Sequence, residues 1–210
     1  MKGLYAITPD VSSTDALLRL AAQALDGGVT LLQYRNKLAD AELRREQASA
    51  LLKMARAKRA RLIVNDDVAL AEAIDADGAH VGRDDGEIAA ARRRLPGKLL
   101  GVSCYASLDA ARHAIEAGAD HVAFGSVFAS GTKPAATRAP LDLFVRARAL
   151  GVPLVAIGGI TLENAPAVIS AGADCLAVIS DLFGAPDLFG APDIAGRAAR
   201  YQSLFEKSPA

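Results

Sequence analysis

The sequence predicts an α/β protein in which eight all-parallel strands close into a (β/α)8 barrel of the TIM type. Three observations lead to this prediction. Short apolar runs recur along the chain, longer segments with helical spacing separate them, and a glycine-led joint between helix and strand repeats at every second strand. The 210 residues just suffice for such a barrel, so we expect one domain that spans residues 1–210.

The apolar runs are three to five residues long, which is the length of a buried parallel strand and too short for a helix. Polar residues or glycines close each run. In chain order the predicted strands are Leu4–Ile7, Leu31–Tyr34, Leu62–Val64, Ala79–Val81, Leu99–Val102, His121–Phe124, Leu154–Ile157 and Cys175–Ile179.

The segments between these strands are rich in Ala and Leu, and charged residues occupy the face opposite the apolar one. In chain order the predicted helices are Asp15–Leu25, Ala41–Ala57, the short Val68–Ala73, Gly86–Leu95, Leu108–Ala117, Leu141–Leu150 and Leu162–Ala171.

Four glycines, Gly28, Gly78, Gly118 and Gly172, precede the second, fourth, sixth and eighth strands. We expect each of them where a helix C-terminus needs a left-handed residue, a conformation that glycine adopts without strain. An open, doubly wound sheet is the alternative architecture. No Gly-x-Gly-x-x-Gly follows the first strand, which favours the closed barrel.

The composition argues against several classes of protein. Lys plus Arg and Asp plus Glu both number 24, and aromatic residues make up 5% with no Trp, so we expect no nucleic-acid partner. No apolar run approaches the ~20 residues of a membrane helix, and the N-terminus turns polar too soon for a signal peptide, so we expect no membrane partner. The two cysteines fit a reducing compartment, and we expect a cytoplasmic protein.

A hexapeptide occurs twice in tandem near the C-terminus, as Leu182–Asp187 and again as Leu188–Asp193. We interpret it as a duplication in a tolerant surface loop and assign it no function.

Polar side chains collect after the strands, where a barrel of this type builds its active site. Gln33, Arg35 and Lys37 are two residues apart, so an extended chain points all three to one face. If that face looks into the barrel mouth, two cations converge there on an anion such as phosphate or pyrophosphate. A solvated outer face is the alternative, although helices cover the outer face of a parallel barrel.

Asp66 and Asp85 follow the third and fourth strands, which are neighbours in a barrel. Two carboxylates beside a cluster of cations suggest Mg²⁺, held by protein oxygens and a substrate phosphate. Helix capping is the alternative role for such aspartates, and it is the role that we favour for Asp67 and Asp84.

A second anion site is predicted after the last two strands. Gly158-Gly159 and Ser180 match the recurrent phosphate site of these barrels, although glycine pairs also occur simply as turns. We therefore expect two phosphorylated ligands. The segment Ser130-Gly131-Thr132-Lys133 lies in the 16-residue loop Gly125–Pro140, and long loops often close over a substrate. It lacks the upstream glycine spacing of a nucleotide P-loop.

Histidine and cysteine chemistry is not expected. His80, His113 and His121 form no ligand cluster in the sequence, so we expect structural roles for them. Cys104 is a poor nucleophile candidate because no histidine is paired with it.

Nine motifs, taken in order, carry a resemblance to a known family over nearly the whole chain. They are Tyr5-Ala6-Ile7-Thr8, Gln33-Tyr34-Arg35-Asn36-Lys37, Val64-Asn65-Asp66, Gly82-Arg83-Asp84-Asp85, Gly101-Val102-Ser103, Gly125, Ser130-Gly131-Thr132-Lys133, Ile157-Gly158-Gly159-Ile160 and Ile179-Ser180. The chain resembles thiamine-phosphate synthases, and the ordered set is far more specific than any one motif.

The resemblance implies a Mg²⁺-dependent transferase that joins 4-amino-2-methyl-5-(diphosphooxymethyl)pyrimidine to thiazole phosphate, giving thiamine monophosphate and pyrophosphate. By resemblance, the residues that contact the pyrimidine diphosphate are Gln33, Tyr34, Arg35, Asn36, Lys37, Asn65, Ser103 and Lys133, of which Arg35, Lys37 and Lys133 are the catalytic cations. Asp66 and Asp85 hold the metal. Ser130, Gly131, Thr132, Gly159, Ile179 and Ser180 surround the thiazole phosphate.

The resemblance further implies that the pyrimidine leaves as a resonance-stabilised cation and that the thiazole nitrogen captures it, so no general base is required. Barrels of this kind often associate, which makes a homo-oligomer compatible with the sequence. The sequence departs from the commonest family pattern at Arg83, where many relatives carry Gln, and at Ser130, where Thr is frequent. The alternative functions are a thiazole tautomerase-like relative and a non-catalytic barrel that binds a phosphorylated ligand.

Overall fold

The computed structural model confirms the closed parallel barrel. It describes residues 1–83, 85–129, 138–184 and 193–206. The strands follow one another around the barrel in sequence order, and β8 pairs with β1 to close it. The strands are β1 Gly3–Ile7, β2 Leu31–Tyr34, β3 Arg61–Asn65, β4 Gly78–Val81, β5 Leu99–Tyr105, β6 His121–Phe124, β7 Leu154–Ile157 and β8 Cys175–Val178.

Helices connect the strands and cover the outside of the barrel. They are α1 Thr14–Asp26, α2 Ala41–Ala57, α3 Val68–Ala73, α4 Ile88–Arg94, α5 Leu108–Glu116, α6 Leu141–Ala147 with a 3-10 turn at Arg148–Leu150, α7 Ala165–Ser170, α8 Ser180–Phe183 and α9 Ile194–Glu206. No helix among the described residues is both long enough and apolar enough to cross a membrane.

The apolar core has two layers because side chains alternate along each strand. On β1, Leu4 and Ala6 pack outward against the helices, whereas Tyr5 and Ile7 point into the barrel. The interior cluster is small, and polar side chains share the inside of the barrel with it. The strand pattern thus leaves room for a cavity at one end.

The glycine-led joints are not all alike, and the expectation for Gly78 is wrong. Gly28, Gly118 and Gly172 have positive φ angles of 89°, 102° and 113°, as predicted. Gly78 instead begins β4, and the left-handed residue that ends the preceding helix is Asp75, with φ 58°. Gly78 is required for space, because a Cβ there would overlap the carbonyl oxygen of Leu99 on the neighbouring strand.

Helix α9 was not singled out by the sequence pattern. It packs against α1 and β1 next to the point where the barrel closes. Gln202 on α9 accepts a hydrogen bond from Leu4 N (3.1 Å) and donates one to Gly28 O (2.7 Å). This side chain therefore ties the last helix to the first strand and to the start of the second.

Asp67 caps α3, as expected, because its side chain accepts a hydrogen bond from Leu70 N (2.8 Å). Asp84, for which the same role was expected, lies outside the described residues, and so does most of the duplicated hexapeptide, residues 185–192.

Candidate active site

One large cavity opens at the end of the barrel where the strands end. Its volume is about 710 Å³, and every one of the eight strands contributes a side chain to its wall. Of the residues predicted from the sequence, those that line it are Gln33, Arg35, Lys37, Asn65, Asp66, Asp85, Ser103, Gly159, Ile179 and Ser180. The remaining predicted residues fall into two groups, described below.

Gln33 and Lys37 mark the two ends of the segment that leaves β2. Gln33 is buried at 3% exposure, and its Nε2 donates to the hydroxyl of Tyr5 (2.8 Å) on β1. Burial raises the pKa of Tyr5, so the phenol keeps its proton. Lys37 is about half exposed, and its ammonium reaches the carboxylate of Asp66. The segment thus runs from the floor of the cavity to its rim.

Arg35 is fixed by residues that follow β1. Its Nη1 donates to both carboxylate oxygens of Asp10 (2.9 and 2.8 Å), and Asp10 Oδ1 also accepts from Lys37 N (2.8 Å). Thr8 Oγ1 accepts from Arg35 N and donates to Arg35 O. The Arg35 side chain is only 15% exposed, so its guanidinium has little freedom to leave the cavity wall.

Tyr34 and Asn36 do not line the cavity, and their contact with the pyrimidine diphosphate stays a prediction. They point to the opposite side of the segment, toward α2. Tyr34 Oη donates to Gln47 Oε1 (3.0 Å), and Asn36 Nδ2 donates to the same oxygen (3.0 Å). Burial raises the pKa of Tyr34 to about 12. The alternation that turns Gln33, Arg35 and Lys37 inward necessarily turns these two outward.

Asp66 and Asp85 face each other at the mouth. Burial, together with the neighbouring Asp66 carboxylate, raises the pKa of Asp85, while the hydrogen bond from Gly82 N (2.6 Å) opposes that shift. Asp66 lies in the left-handed region with φ 63°, and Lys37 Nζ is 3.5 Å from its Oδ2. The Asp66 carboxylate therefore lies near enough to disfavour the ionised form of Asp85.

This carboxylate pair fits a divalent cation. Two neighbouring carboxylates repel each other when both are ionised, and a cation between them removes the repulsion. Mg²⁺ is commonly held by one or two carboxylates plus substrate phosphates. Within the described part of the chain, no group of three or more His, Cys, Asp or Glu side chains is arranged to hold a metal by itself.

The opposite wall of the cavity is built from glycines. Gly158 and Gly159 have φ angles of 102° and 63°, and a Cβ at either position would collide with the chain at Ser126 or Ala129. Asn164 Nδ2 donates to Gly159 O (2.9 Å) and fixes this turn. Both glycines line the cavity, so their backbone borders the space where a ligand would lie, as at the phosphate sites of other barrels.

Ser180 begins the short helix α8, and the next residue anchors that helix. Arg197 on α9 donates to both oxygens of Asp181 (3.0 and 2.6 Å), and Tyr201 Oη donates to Asp181 Oδ2 (2.6 Å). The Asp181 side chain is only 12% exposed. The C-terminal helix thus holds the segment that follows β8.

Two histidines lie inside the barrel, where the sequence suggested no cluster. His80 on β4 lines the cavity, and its Nε2 is 2.9 Å from Ser103 Oγ. His121 on β6 is fully buried, and the two ring centroids are 5.8 Å apart. Burial lowers the pKa of His80 to about 4 and that of His121 to about 3, so both rings are neutral at pH 7.

The other expectations for these residue types agree with their surroundings. His113 is exposed on α5. Cys104 is fully buried, and burial raises the pKa of its thiol to about 12, so it remains a protonated thiol at pH 7.

Arg83, where the sequence departs from the commonest pattern, also lines the cavity, and its guanidinium stacks 4.8 Å from the centre of the Tyr105 ring. Four predicted residues, Ser130, Gly131, Thr132 and Lys133, lie outside the described residues.

Sequence reasoning missed the site roles of Tyr5, Asp10 and His80. Tyr5 alternates with Leu4 and Ala6, a signal that places it inside the barrel, but its partner Gln33 lies 28 positions away. Asp10 stands two residues after Thr8 at a strand end, a position where functional groups collect. For His80 the sequence predicts only a structural role, because the three histidines form no ligand cluster in it.

Comparison with known proteins identifies the family. The family model described as thiamine monophosphate synthase matches residues 4–182. Curated thiamine-phosphate synthases from Aromatoleum aromaticum and Methylobacillus flagellatus are 54% and 53% identical over 208 and 206 residues. Each alignment covers 98% of this chain, and 97% and 96% of the respective relative.

A solved structure agrees with the sequence comparisons. Thiamine phosphate pyrophosphorylase from Pyrococcus furiosus superposes with a TM-score of 0.85 at 32% identity, covering 98% of this chain and 96% of that one. The resemblance expected from the motifs is thereby confirmed. The chain belongs to the thiamine monophosphate synthase family.

Proposed function

We propose that this chain is a Mg²⁺-dependent transferase that joins 4-amino-2-methyl-5-(diphosphooxymethyl)pyrimidine to thiazole phosphate and releases pyrophosphate, giving thiamine monophosphate in the cytoplasm. Family membership supports the reaction. The observation that carries the assignment of residues is that one cavity gathers two cations, a carboxylate pair and a glycine wall. These are the groups that a diphosphate and a second phosphate require.

The pyrimidine diphosphate is assigned to the side of the cavity formed by β2 to β5. Arg35 and Lys37 supply positive charge for the diphosphate, and Asp10 holds the guanidinium in place. Gln33, Asn65 and Ser103 offer amide and hydroxyl groups deeper in the cavity. Lys133, by resemblance, completes the cation set from the loop after β6.

Asp66 and Asp85 would hold the metal. When bound there, Mg²⁺ would neutralise charge on the departing pyrophosphate. Lys37 lies beside this pair, so its ammonium adds charge at the same place. The chain's own contribution is to keep these groups in position before the substrate arrives, which lowers the cost of reorganisation during the reaction.

The thiazole phosphate is assigned to the opposite wall. Gly159, Ile179 and Ser180 line the cavity there, and the family pattern adds Ser130, Gly131 and Thr132. Gly158 and Gly159 line the cavity and carry no side chains, so their backbone is within reach of the phosphate. The cavity volume of about 710 Å³ accommodates two small phosphorylated ligands side by side.

No general base is needed in this reaction, since the attacking thiazole nitrogen already carries a lone pair. This fits the surroundings of the two buried histidines, which are neutral and have no carboxylate hydrogen-bonded to them among the described residues. Catalysis then rests on positioning and on stabilisation of the leaving pyrophosphate.

The decisive experiment mixes both substrates with purified protein and Mg²⁺ and measures pyrophosphate release together with thiamine monophosphate. Turnover that needs both substrates supports the proposal. Binding of one phosphorylated ligand without turnover would favour a non-catalytic barrel, and isomerisation of a thiazole carboxylate phosphate would favour a tautomerase.

Asp85→Ala tests the metal assignment. We expect kcat to fall by roughly 100-fold or more at saturating Mg²⁺, because a metal ligand that acts on the leaving group is lost. Circular dichroism should show an unchanged fold, since Asp85 is only partly buried and accepts its hydrogen bond from Gly82 in the same loop. A rate equal to that of the wild type would remove Asp85 from the metal site.

Lys133→Ala tests the cation expected from the loop after β6. We expect kcat to fall more than KM for thiazole phosphate rises, because the lost charge acts on the departing pyrophosphate. Steady-state kinetics with the reverse pattern would assign Lys133 to the thiazole phosphate instead.

A further inference from the structure

His80 and Ser103 form a hydrogen-bonded pair across two neighbouring strands inside the cavity. His80 lies on β4 and Ser103 on β5, and His80 Nε2 is 2.9 Å from Ser103 Oγ. Both side chains line the cavity. Ser103 is a predicted contact of the pyrimidine diphosphate, whereas the sequence suggested only a structural role for His80.

The rest of the His80 ring lies in a tight, nonpolar place. The residue is 7% exposed, and its Nδ1 has no hydrogen-bond partner among the described residues. A Cβ at Gly101 would lie 2.5 Å from Nδ1, and the same Cβ would also overlap the ring of His121. Gly101 therefore provides the space for both rings.

These surroundings determine which ring nitrogen carries the hydrogen. A neutral imidazole has one N–H and one bare nitrogen. A buried N–H without an acceptor is rarer in proteins than an acceptor without a donor. The hydrogen therefore belongs on Nε2, where Ser103 Oγ accepts it, and the bare nitrogen is Nδ1.

We infer that His80 is a positioning residue: it donates from Nε2 to Ser103 Oγ and so turns the Ser103 hydroxyl hydrogen into the cavity, toward an anionic phosphate oxygen. A hydroxyl that already accepts from a neighbour has its own hydrogen free to donate. A hydrogen bond from that hydroxyl to a phosphate oxygen is charge-assisted and hence stronger than a neutral one. The inference rests on the proposed function, in which that oxygen belongs to the pyrimidine diphosphate.

The tautomer can be measured without any enzyme assay. ¹⁵N-labelled protein at pH 7, with His80 assigned by comparison with His80→Gln, should show Nε2 bonded to hydrogen and Nδ1 bare. A ring with its hydrogen on Nδ1, or a doubly protonated ring, would overturn the inference. This result does not depend on whether the proposed reaction is correct.

The action through Ser103 can be tested with a double-mutant cycle on kcat. Ser103→Ala should lower kcat by roughly 100-fold, because it removes a donor to the leaving group. His80→Leu should lower kcat by about tenfold or more in the wild-type background, with a smaller change in KM for the pyrimidine diphosphate, yet have no further effect in the Ser103→Ala background. Equal factors in both backgrounds would mean that His80 is merely structural.

The conservative variant separates positioning from packing. His80→Gln carries an amide donor near the place of Nε2 and should recover most of the activity that His80→Leu loses. If His80→Leu does not fold, His80→Gln still allows the positioning role to be tested. Failure of glutamine to restore activity, in a protein that melts at the wild-type temperature, would contradict the inference.

Two other histidines serve as matched controls. His121→Leu changes the neighbouring buried ring, which makes no hydrogen bond to Ser103 or to any other described residue, and should leave kcat within about twofold of the wild type. His113→Gln, on the exposed face of α5, should leave both kcat and the melting temperature unchanged. If neither the wild type nor any variant releases pyrophosphate, the proposed function fails. The tautomer measurement then still tests the hydrogen bond from His80 to Ser103.

Discussion

Acidification is expected to destabilise this protein through His121, a histidine buried in the barrel. Its side chain is 0% exposed, and neither ring nitrogen has a hydrogen-bond partner among the described residues. Burial, with a smaller contribution from His80, lowers its pKa from 6.5 to about 3. At pH 5 the ring is therefore neutral in the folded protein, whereas the unfolded chain carries a proton there.

The sign and the size follow from this difference in proton binding. Because the unfolded chain binds the additional proton below pH 6.5, the free energy of unfolding falls as the pH falls from 6.5 toward about 3. Each pH unit in that window costs about 1.4 kcal/mol, so the step from pH 7 to pH 5 costs about 2 kcal/mol for one histidine.

Two groups that line the cavity, His80 and Asp85, also titrate differently between the folded and unfolded states. His80, whose pKa burial lowers to about 4, adds a loss of the same size, so the two histidines together should cost about 4 kcal/mol at pH 5. The pKa of Asp85 is raised mainly by burial, so its folded form takes up a proton more readily and works in the opposite direction. This contribution is the same in proteins that differ only at His121.

The assay is urea unfolding followed by circular dichroism at pH 7 and at pH 5, at constant ionic strength. His121→Leu should lose about 2 kcal/mol less than the wild type over this step, because one titrating ring is absent. His113→Gln is the control and should lose as much as the wild type. Equal losses for the wild type and His121→Leu would refute the reasoning.

Three further substitutions have clear expected outcomes. Gly101→Ala should lower stability by about 1–3 kcal/mol, measured by thermal unfolding, because its Cβ would overlap the two buried imidazoles. Asp10→Asn should lower kcat/KM for the pyrimidine diphosphate roughly tenfold without unfolding the protein, because Arg35 loses its bidentate partner; unchanged kinetics would show that the guanidinium is held by other groups. Asp181→Asn should destabilise the protein by about 2 kcal/mol, because the charged hydrogen bonds from Arg197 are lost; a melting temperature equal to the wild type would contradict this.

The strands were predictable because their signal is local. β2, β6 and β7 begin and end at the residues expected from the apolar runs. The least accurate helix was the one after β7, which begins at Ala165 rather than Leu162. There the Asn164 side chain accepts a hydrogen bond from Thr161 N and donates one to Gly159 O. The residues before Asn164 therefore form a turn at the cavity wall and not the first turn of a helix.

The site was only partly predictable, for a similar reason. Alternation along β2 correctly placed Gln33, Arg35 and Lys37 on one wall of the cavity. The family motif also predicts substrate contacts for Tyr34 and Asn36, whose side chains hydrogen-bond to Gln47 on α2. A motif records which residues are present in a segment, whereas only the pleat decides which of them face the ligand.

By itself the sequence determined the repeating strand–helix pattern, the parallel barrel and the family, since apolar period, glycine placement and ordered motifs are properties of neighbouring residues. Tertiary structure alone decided that Asp10 clamps Arg35, that Asp66 and Asp85 face each other, and that His80 reaches Ser103. Each of these contacts joins the ends of different strands, separated by between 19 and 25 positions in the chain. Closing the barrel brings those ends to one mouth, and burial there then sets the charge and the hydrogen-bonding direction of each group.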